Sequence, residues 1–417
     1  MNRVRIPGLD QASLPAHPDL TVVRPAYQLV RINGRVLYRY PPGGSVLSLP
    51  FVAILNAAGL SAIDKDGEYN PSAERRLQKL IASIATAATV VAIFMTAMIL
   101  LPVSWSLVLA IAAATGTQFW SSASRALYSH TWEIFLAALV ILELLRAEER
   151  REAVRPILLA TLTAWLYFTR PTGALAIVAV TVFVLLFYRS GFVSYAVTGV
   201  VWGGLFLLFF WMTFGAALPD YYRLGSRLDL ASLPAVLAAV LISPSRGLFV
   251  FVPSALFVIY LVLRYWQELP YRRLALLAIA IIAANVLVVS CWPVWWGGGA
   301  YGPRLLTDIV PWLALLGILG LRAILDHDRA GAGTRHSDSF KLTLAVGAAL
   351  TLAGIAINCQ GAIARKTRTW NKQVDINHHP ERVWDWRYPQ FMAGIITPPT
   401  NYVSPDVTTL IHKPHPH

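Results

Sequence analysis

A chain of 417 residues in which 56% are hydrophobic and only 14% charged lies far from the soluble average of about 25% charged. It belongs in a membrane. The net charge of +13 does not imply nucleic acid: no basic run is interleaved with aromatics, and the positive residues flank apolar spans, as topology determinants and contacts for anionic headgroups do. Two cysteines, Cys291 and Cys359, exclude a disulfide scaffold and a cysteine metal site and leave open one bridge between them.

Residues 1–79 form a polar first-loop segment without a signal peptide, since MNRVRIPGLDQ lacks an apolar core. Within it, Arg39 precedes the rigid Pro41, Pro42, Gly43 turn, and residues 46–62, which contain Pro50, read as an interfacial helix. The apolar stretches 80–102, 105–121, 131–145, 157–169, 172–188, 192–213, 247–263, 274–291, 305–325 and 342–358 approach the bilayer requirement of about 17–25 residues. The expected fold class is therefore an all-α polytopic membrane protein with about ten transmembrane helices in a domain over 80–358, followed by a tail over 359–417. That tail contains Trp370, Trp384, Trp386, Tyr388 and Phe391, too aromatic for a solvated end, and is expected to pack back on the membrane body.

Positive residues concentrate in alternate connections, at Arg146, Arg150, Arg151 and Arg155, at Arg189, at Arg264, Arg272 and Arg273, and at Arg322, Arg329, Arg335 and Lys341. These connections should be cytoplasmic, so that both termini lie outside. A segment 1–79 outside the cell needs a helix to carry it across, and the expectation is that a first transmembrane helix precedes Met1; a crossing by 46–62 is the alternative.

Under this topology the unusual polar residues gather on one side. Arg125, His130 and Glu133 lie where a loop leads into a membrane helix, with His130 and Glu133 three apart and on one face. Arg170 sits before Pro171, and Arg246 sits inside a Ser243, Pro244, Ser245, Gly247 turn whose amides could join it around a phosphate. The segment Cys291–Ala314 places three successive glycines and Arg304 between tryptophans and an apolar span, the composition of an interfacial pocket. Arg304 either holds an anion there or pairs with Asp308 at i+4. Tyr221, Tyr222 and Tyr301 could assist as donors. No P-loop, dinucleotide fingerprint or HExxH occurs, and His378, His379 and the closing histidines are weak evidence for metal.

The ordered series YPPG at 40–43, AERRLQKLIASIATAATVV at 73–91, SHTWEIF, TRPTG, SPSRGLF and WWGGGAYGPRLLTDIVP resembles bacterial membrane proteins of the GT-C glycosyltransferase superfamily, in the branch of protein O-mannosyltransferases and lipid A aminoarabinose transferases. The similarity spans about residues 27–325. It implies a GT-C-like fold in the bacterial inner membrane, with an extracytoplasmic active face. The implied reaction moves a sugar from a polyprenyl-phosphate donor to a hydroxyl of a lipid, glycan or protein acceptor, with inversion. The catalytic candidates are Asp10 as base, with Asp19 second, and His130 and Glu133 in the neighbourhood of a second acid; a true base before Met1 is the alternative. Arg39, Arg125, Arg170, Arg246, Tyr301 and Arg304 are the candidates for binding substrate. No cofactor is assigned, and a divalent metal is left open. A lipid or sugar transporter and a non-catalytic polyprenyl-phosphate-binding protein are the competing readings.

Overall fold

A computed structural model describes residues 21–22, 29–32, 35–38, 40–222, 228–332 and 338–398. The chain opens with a small antiparallel sheet, β1 (Thr21–Val22), β2 (Leu29–Ile32) and β3 (Arg35–Tyr38), in the order β1-β2-β3. The all-helical expectation did not include it. Among the described residues the sheet is followed by helices and two isolated β-bridges, Ile63–Tyr69 and Ala393–Ile396; the α-helices are α1 (Gly43–Ala57), α2 (Pro71–Ala97), α3 (Val103–Thr115), α4 (Ser129–Arg150), α5 (Pro156–Thr169), α6 (Gly173–Phe187), α7 (Arg189–Phe214), α8 (Leu233–Ile242), α9 (Leu248–Phe251), α10 (Ser254–Arg264), α11 (Arg272–Ser290), α12 (Val310–Ala332), α13 (Asp338–Ile363) and α14 (Arg365–Gln373).

Among the described residues five helical stretches are long and apolar enough to cross a membrane: Pro71–Ala97, Arg189–Phe214, Arg272–Ser290, Arg304–Ala330 and Asp338–Ile363. The chain is a helical membrane protein. Each of the ten predicted stretches contains helix, but the boundaries differ for local reasons. The Asn70 side chain accepts from the amides of Ser72 and Ala73, both at 3.0 Å, and Pro71 occupies the first turn, so α2 starts at 71 rather than 80. The expected domain limit at 79 therefore falls inside a helix. The stretch 247–263 is broken into α9 and α10 at Pro253, as a proline in a helix interior requires. The predicted 46–62 helix runs instead over Gly43–Ala57. Helix α8 was not anticipated; ten residues rise about 15 Å, half the hydrocarbon thickness of about 30 Å.

Helix α4 is the axis of the bundle. It packs against α2, α5 and α12, and nearly all of its middle is buried, from Thr131 through Leu145. Burial on every side explains why its sequence lacks a polar face. Its two ends carry separate charge networks. At one end Glu148 accepts from Tyr188 Oη at 2.8 Å and from Arg273 Nε at 2.8 Å, while Glu143 pairs with Arg146 at 2.9 Å. His327 meets Glu268 there at 2.8 Å, and Arg322 Nη1 donates to the Leu100 carbonyl at 2.9 Å. The arginine-rich connections thus collect at a single end of the bundle.

The other end gathers the remaining connections, the start of α1 and the tail. Trp370 is 1% exposed and its indole donates to the Tyr388 carbonyl at 3.0 Å. Ile376, Val383 and Ala393 close a small core against Ala239, Trp295 and Trp296. The tail packs on the membrane body as its aromatic content required. Both cysteines are free.

Helix α1 is seated by close contact. The Trp132 indole donates to Ser48 Oγ at 2.9 Å, and Gly43 lies so near α5 that a β-carbon there would meet Phe168 C, Phe168 O and Thr169 N, all at 2.6 Å. These are backbone atoms and cannot rotate away. Gly43→Ala is therefore expected to destabilise by about 1–3 kcal/mol. Gly199→Ala, in α7 with nothing within 4 Å, should be neutral or stabilising by about 0.5–1 kcal/mol. Thermal unfolding in detergent compares them; equal melting temperatures for the two variants would contradict the close α1–α5 contact.

Candidate functional site

A cavity of about 560 Å³ opens at the end of the bundle opposite the arginine-rich connections. Its wall draws on chain segments far apart in sequence: Tyr40 and Gly44 from the start of α1, Glu74 from α2, Tyr128 and His130 around the start of α4, Arg170, Tyr221, Trp292 and Arg304. Tyr40 packs edge-on against Tyr221 with ring centroids 5.2 Å apart. Val288, Val289, Trp292 and Leu305 make one side apolar.

Behind this wall lies a buried ionic cluster. Pro171 bars Arg170 from the helical region, so α5 ends there and Arg170 turns out in extended conformation, φ −161° and ψ 131°. Its guanidinium then lies between α4 and the segment before α12. Nη1 donates to His130 Nε2 at 2.8 Å, and Nε lies 2.8 Å from Asp308 Oδ2 and 3.1 Å from Glu133 Oε2. The Nε hydrogen itself points to Thr172 Oγ1, at 2.9 Å. His130 Nδ1 lies 2.6 Å from Asp308 Oδ1. All four residues are buried.

These contacts fix the histidine tautomer. A guanidinium only donates, so His130 Nε2 accepts, and the imidazole proton sits on Nδ1, directed at Asp308. His130 thus has no lone pair for a substrate, and Glu133 faces Arg170 and Asp308 instead of the cavity. His130 and Glu133, expected as catalytic proton acceptors, both stand against Arg170 in this geometry. Asp308, expected only as a partner of Arg304, is the residue that closes the cluster. Residues Arg304–Ile309 form a 3-10 turn, in which positions four apart are rotated by about 120° from one another, so the expected Arg304–Asp308 pair does not form.

Arg304 is held differently. Nη2 donates to the Gly297 carbonyl at 3.0 Å, the guanidinium lies 4.7 Å above the Tyr128 ring, and the buried Nε has no partner. Gly297 and Gly298 adopt φ of +69° and +66°, a region open to glycine, and this turns their carbonyls toward arginines. The glycine run, expected to admit a ligand, is a carbonyl clamp.

Arg246, expected to bind substrate, is the second arginine held by that loop. It is 2% exposed and does not line the cavity. Nε donates to Trp296 O at 2.7 Å, Nη1 to Ser245 O at 2.6 Å and Gln390 Oε1 at 2.7 Å, and Nη2 to Gly298 O at 3.0 Å. Burial, with Arg304 and Arg382 nearby, pulls its pKa down to about 9, still a cation at neutral pH. Its work is to fasten the tail to the glycine loop. Arg125 and Tyr301 stand at the same end but line a second cavity of about 220 Å³. Tyr301 is buried and donates to the Ile357 carbonyl at 2.6 Å. Asp10 and Arg39 lie outside the described residues, as does Asp19.

The donor atoms of His130, Glu133 and Asp308 come within 4.8 Å of one another, which invites a divalent ion. The fit fails on Arg170, whose nitrogens stand at 2.8–3.1 Å from all three side chains and fill the position an ion bound at about 2.0–2.2 Å would need. The guanidinium is the cation of this cluster.

Comparisons with protein families, with curated proteins and with solved structures find no match for this chain.

Removing Arg170 leaves two carboxyl groups buried without their cation, at a cost of about 3–5 kcal/mol. Arg170→Ala should therefore lower the unfolding midpoint in detergent strongly, and the same substitution made on an Asp308→Asn background should do so by distinctly less. Additive losses would show that the two residues do not share an interaction.

Proposed function

We propose that the chain is a membrane glycosyltransferase that moves a sugar from a polyprenyl-phosphate donor to the hydroxyl of a lipid, glycan or protein acceptor, with inversion at the anomeric carbon. In this reading ten helical units, α2 to α7, the α9–α10 pair and α11 to α13, cross a bacterial inner membrane. The arginine-rich end is cytoplasmic and the large cavity extracytoplasmic. A transporter would be expected to carry its charged site near mid-bilayer, whereas the site cluster here sits at a bundle end.

The observation that carries the proposal is Arg304: a guanidinium on the wall of a partly apolar cavity, oriented by a carbonyl and an aromatic face, with a buried N–H left over. A phosphate in the cavity would pair with the guanidinium charge on its wall. The apolar side formed by Val288, Val289, Trp292 and Leu305 suits the first isoprene units of a carrier.

The chemistry then runs as a single displacement. The acceptor oxygen attacks the anomeric carbon while the bond from that carbon to the phosphate oxygen breaks, its electron pair leaving with the phosphate. Negative charge grows on the leaving group, so a cation held in place beforehand stabilises the transition state more than the ground state. Arg304 meets the phosphate, and Arg170, fixed from behind by Asp308 and Glu133, adds its field to the cavity wall. The acceptor proton goes to a carboxylate. Glu74 is the acid on that wall, held by Gln78 Nε2 at 2.9 Å and by Tyr69; Asp10 is the candidate that the family resemblance supplies.

Transfer from a labelled polyprenyl-phosphate sugar tests this. Arg304→Ala is expected to lower kcat/KM by about 10²–10³-fold, Arg304→Lys by less, and Glu74→Gln to lower kcat if Glu74 is the base. Unchanged turnover in Arg304→Ala contradicts the phosphate assignment. A native protein that binds the donor yet never transfers sugar is the non-catalytic binder instead.

A further inference from the structure

The second cavity, of about 220 Å³, lies beside the first and shares Ala126 and Tyr128 with it. Three cations reach it from three elements: Lys79 from α2, Arg125 from the connection before α4, and Arg368 from α14. Among the described residues none of the three has a carboxylate within ion-pair distance. Like charges held together in a partly buried place repel one another unless an anion lies between them. Arg125 registers that repulsion: burial and, after it, the charge of Arg368 lower its pKa.

Depth in the membrane follows from the cavity floor. Gly361 lines it and belongs to the last turn of α13, a helix long and apolar enough to span, while Ile363 beside it is 63% exposed. Helix α14 begins two residues later with Arg365, Lys366 and Arg368 all exposed, the arrangement of a headgroup-level basic segment. The volume is below the roughly 300–1,000 Å³ of ordinary small-molecule pockets, which suits one headgroup and not a sugar with its carrier.

We propose that this second cavity binds the phosphate monoester of a membrane lipid between Lys79, Arg125 and Arg368. A monoester carries about −1.5 to −2 charges at neutral pH, matching three unpaired cations better than the single charge of a diester. The inference goes beyond the first cavity and holds whether or not that cavity transfers sugar.

The test uses the full chain in neutral detergent, titrated with dioctanoyl phosphatidic acid and followed by native mass spectrometry. One molecule should bind, and dioctanoyl phosphatidylglycerol, a diester, should bind about tenfold more weakly. Arg125→Gln and Arg368→Gln should each weaken the phosphatidic acid complex by about tenfold, and Arg189→Gln, an exposed cation at the other end, should leave it unchanged. Lys79→Gln, on a different element, gives the same reading if the arginine variants fail to fold. Displacement of the lipid by millimolar inorganic phosphate would show that phosphate alone is recognised and that a free anion can occupy the site; resistance to displacement would show that the lipid's glycerol is recognised as well. Absence of binding, or equal affinity in the native chain and the charge-removed variants, overturns the proposal.

Discussion

One buried guanidinium organises the functional end of this protein. Arg170 contacts His130 and Glu133 on α4 and Asp308 ahead of α12, and it does so from the junction of α5 and α6. Four elements are thereby fixed to one another by groups that none of them could bury alone, because an isolated charge in a low-dielectric interior is strongly unfavourable. The cavity wall is the outward side of that arrangement. Its shape depends on Arg170 remaining where Pro171 and the two carboxyl groups hold it.

The arginines at this end divide by what their N–H groups already do. Arg246 has its donors engaged by backbone carbonyls and Gln390 and serves cohesion between the glycine loop and the tail. Arg170 gives N–H groups to Thr172 and His130 and stands at ion-pair distance from Glu133 and Asp308. Arg304 is oriented by Gly297 and Tyr128 but keeps a buried donor without a partner, which makes it the group best suited to receive an anion. The same glycine loop serves Arg246 and Arg304, so a change in tail packing would reach the cavity through Gly297 and Gly298.

How far the sequence could be read depended on the range of the interactions involved. Apolar stretches and alternating arginines located the helices and the two ends of the bundle because those signals are local. His130, Arg170 and Arg304 were recognisable as unusual by their setting, and they do line a common cavity. Asp308 was misassigned because helical spacing was applied to a segment that is a 3-10 turn. The partner of Arg246, Gln390, stands 144 residues away, and nothing in SPSRGLF announces a tail folding over it. The Asn70 cap was available in the sequence and would have started α2 at its correct position. Helix α8 was missed because ten apolar residues fall short of a span.

The central claim is that Arg304 receives a phosphate, and phosphorus NMR of a short-chain polyprenyl phosphate added to the full chain in detergent addresses it most directly. The expected result is a phosphorus resonance that shifts and broadens with the native protein and stays at its free position with Arg304→Ala, while Arg189→Gln, an exposed cation at the other end, behaves like the native chain. An identical shift with native protein and Arg304→Ala would contradict the assignment.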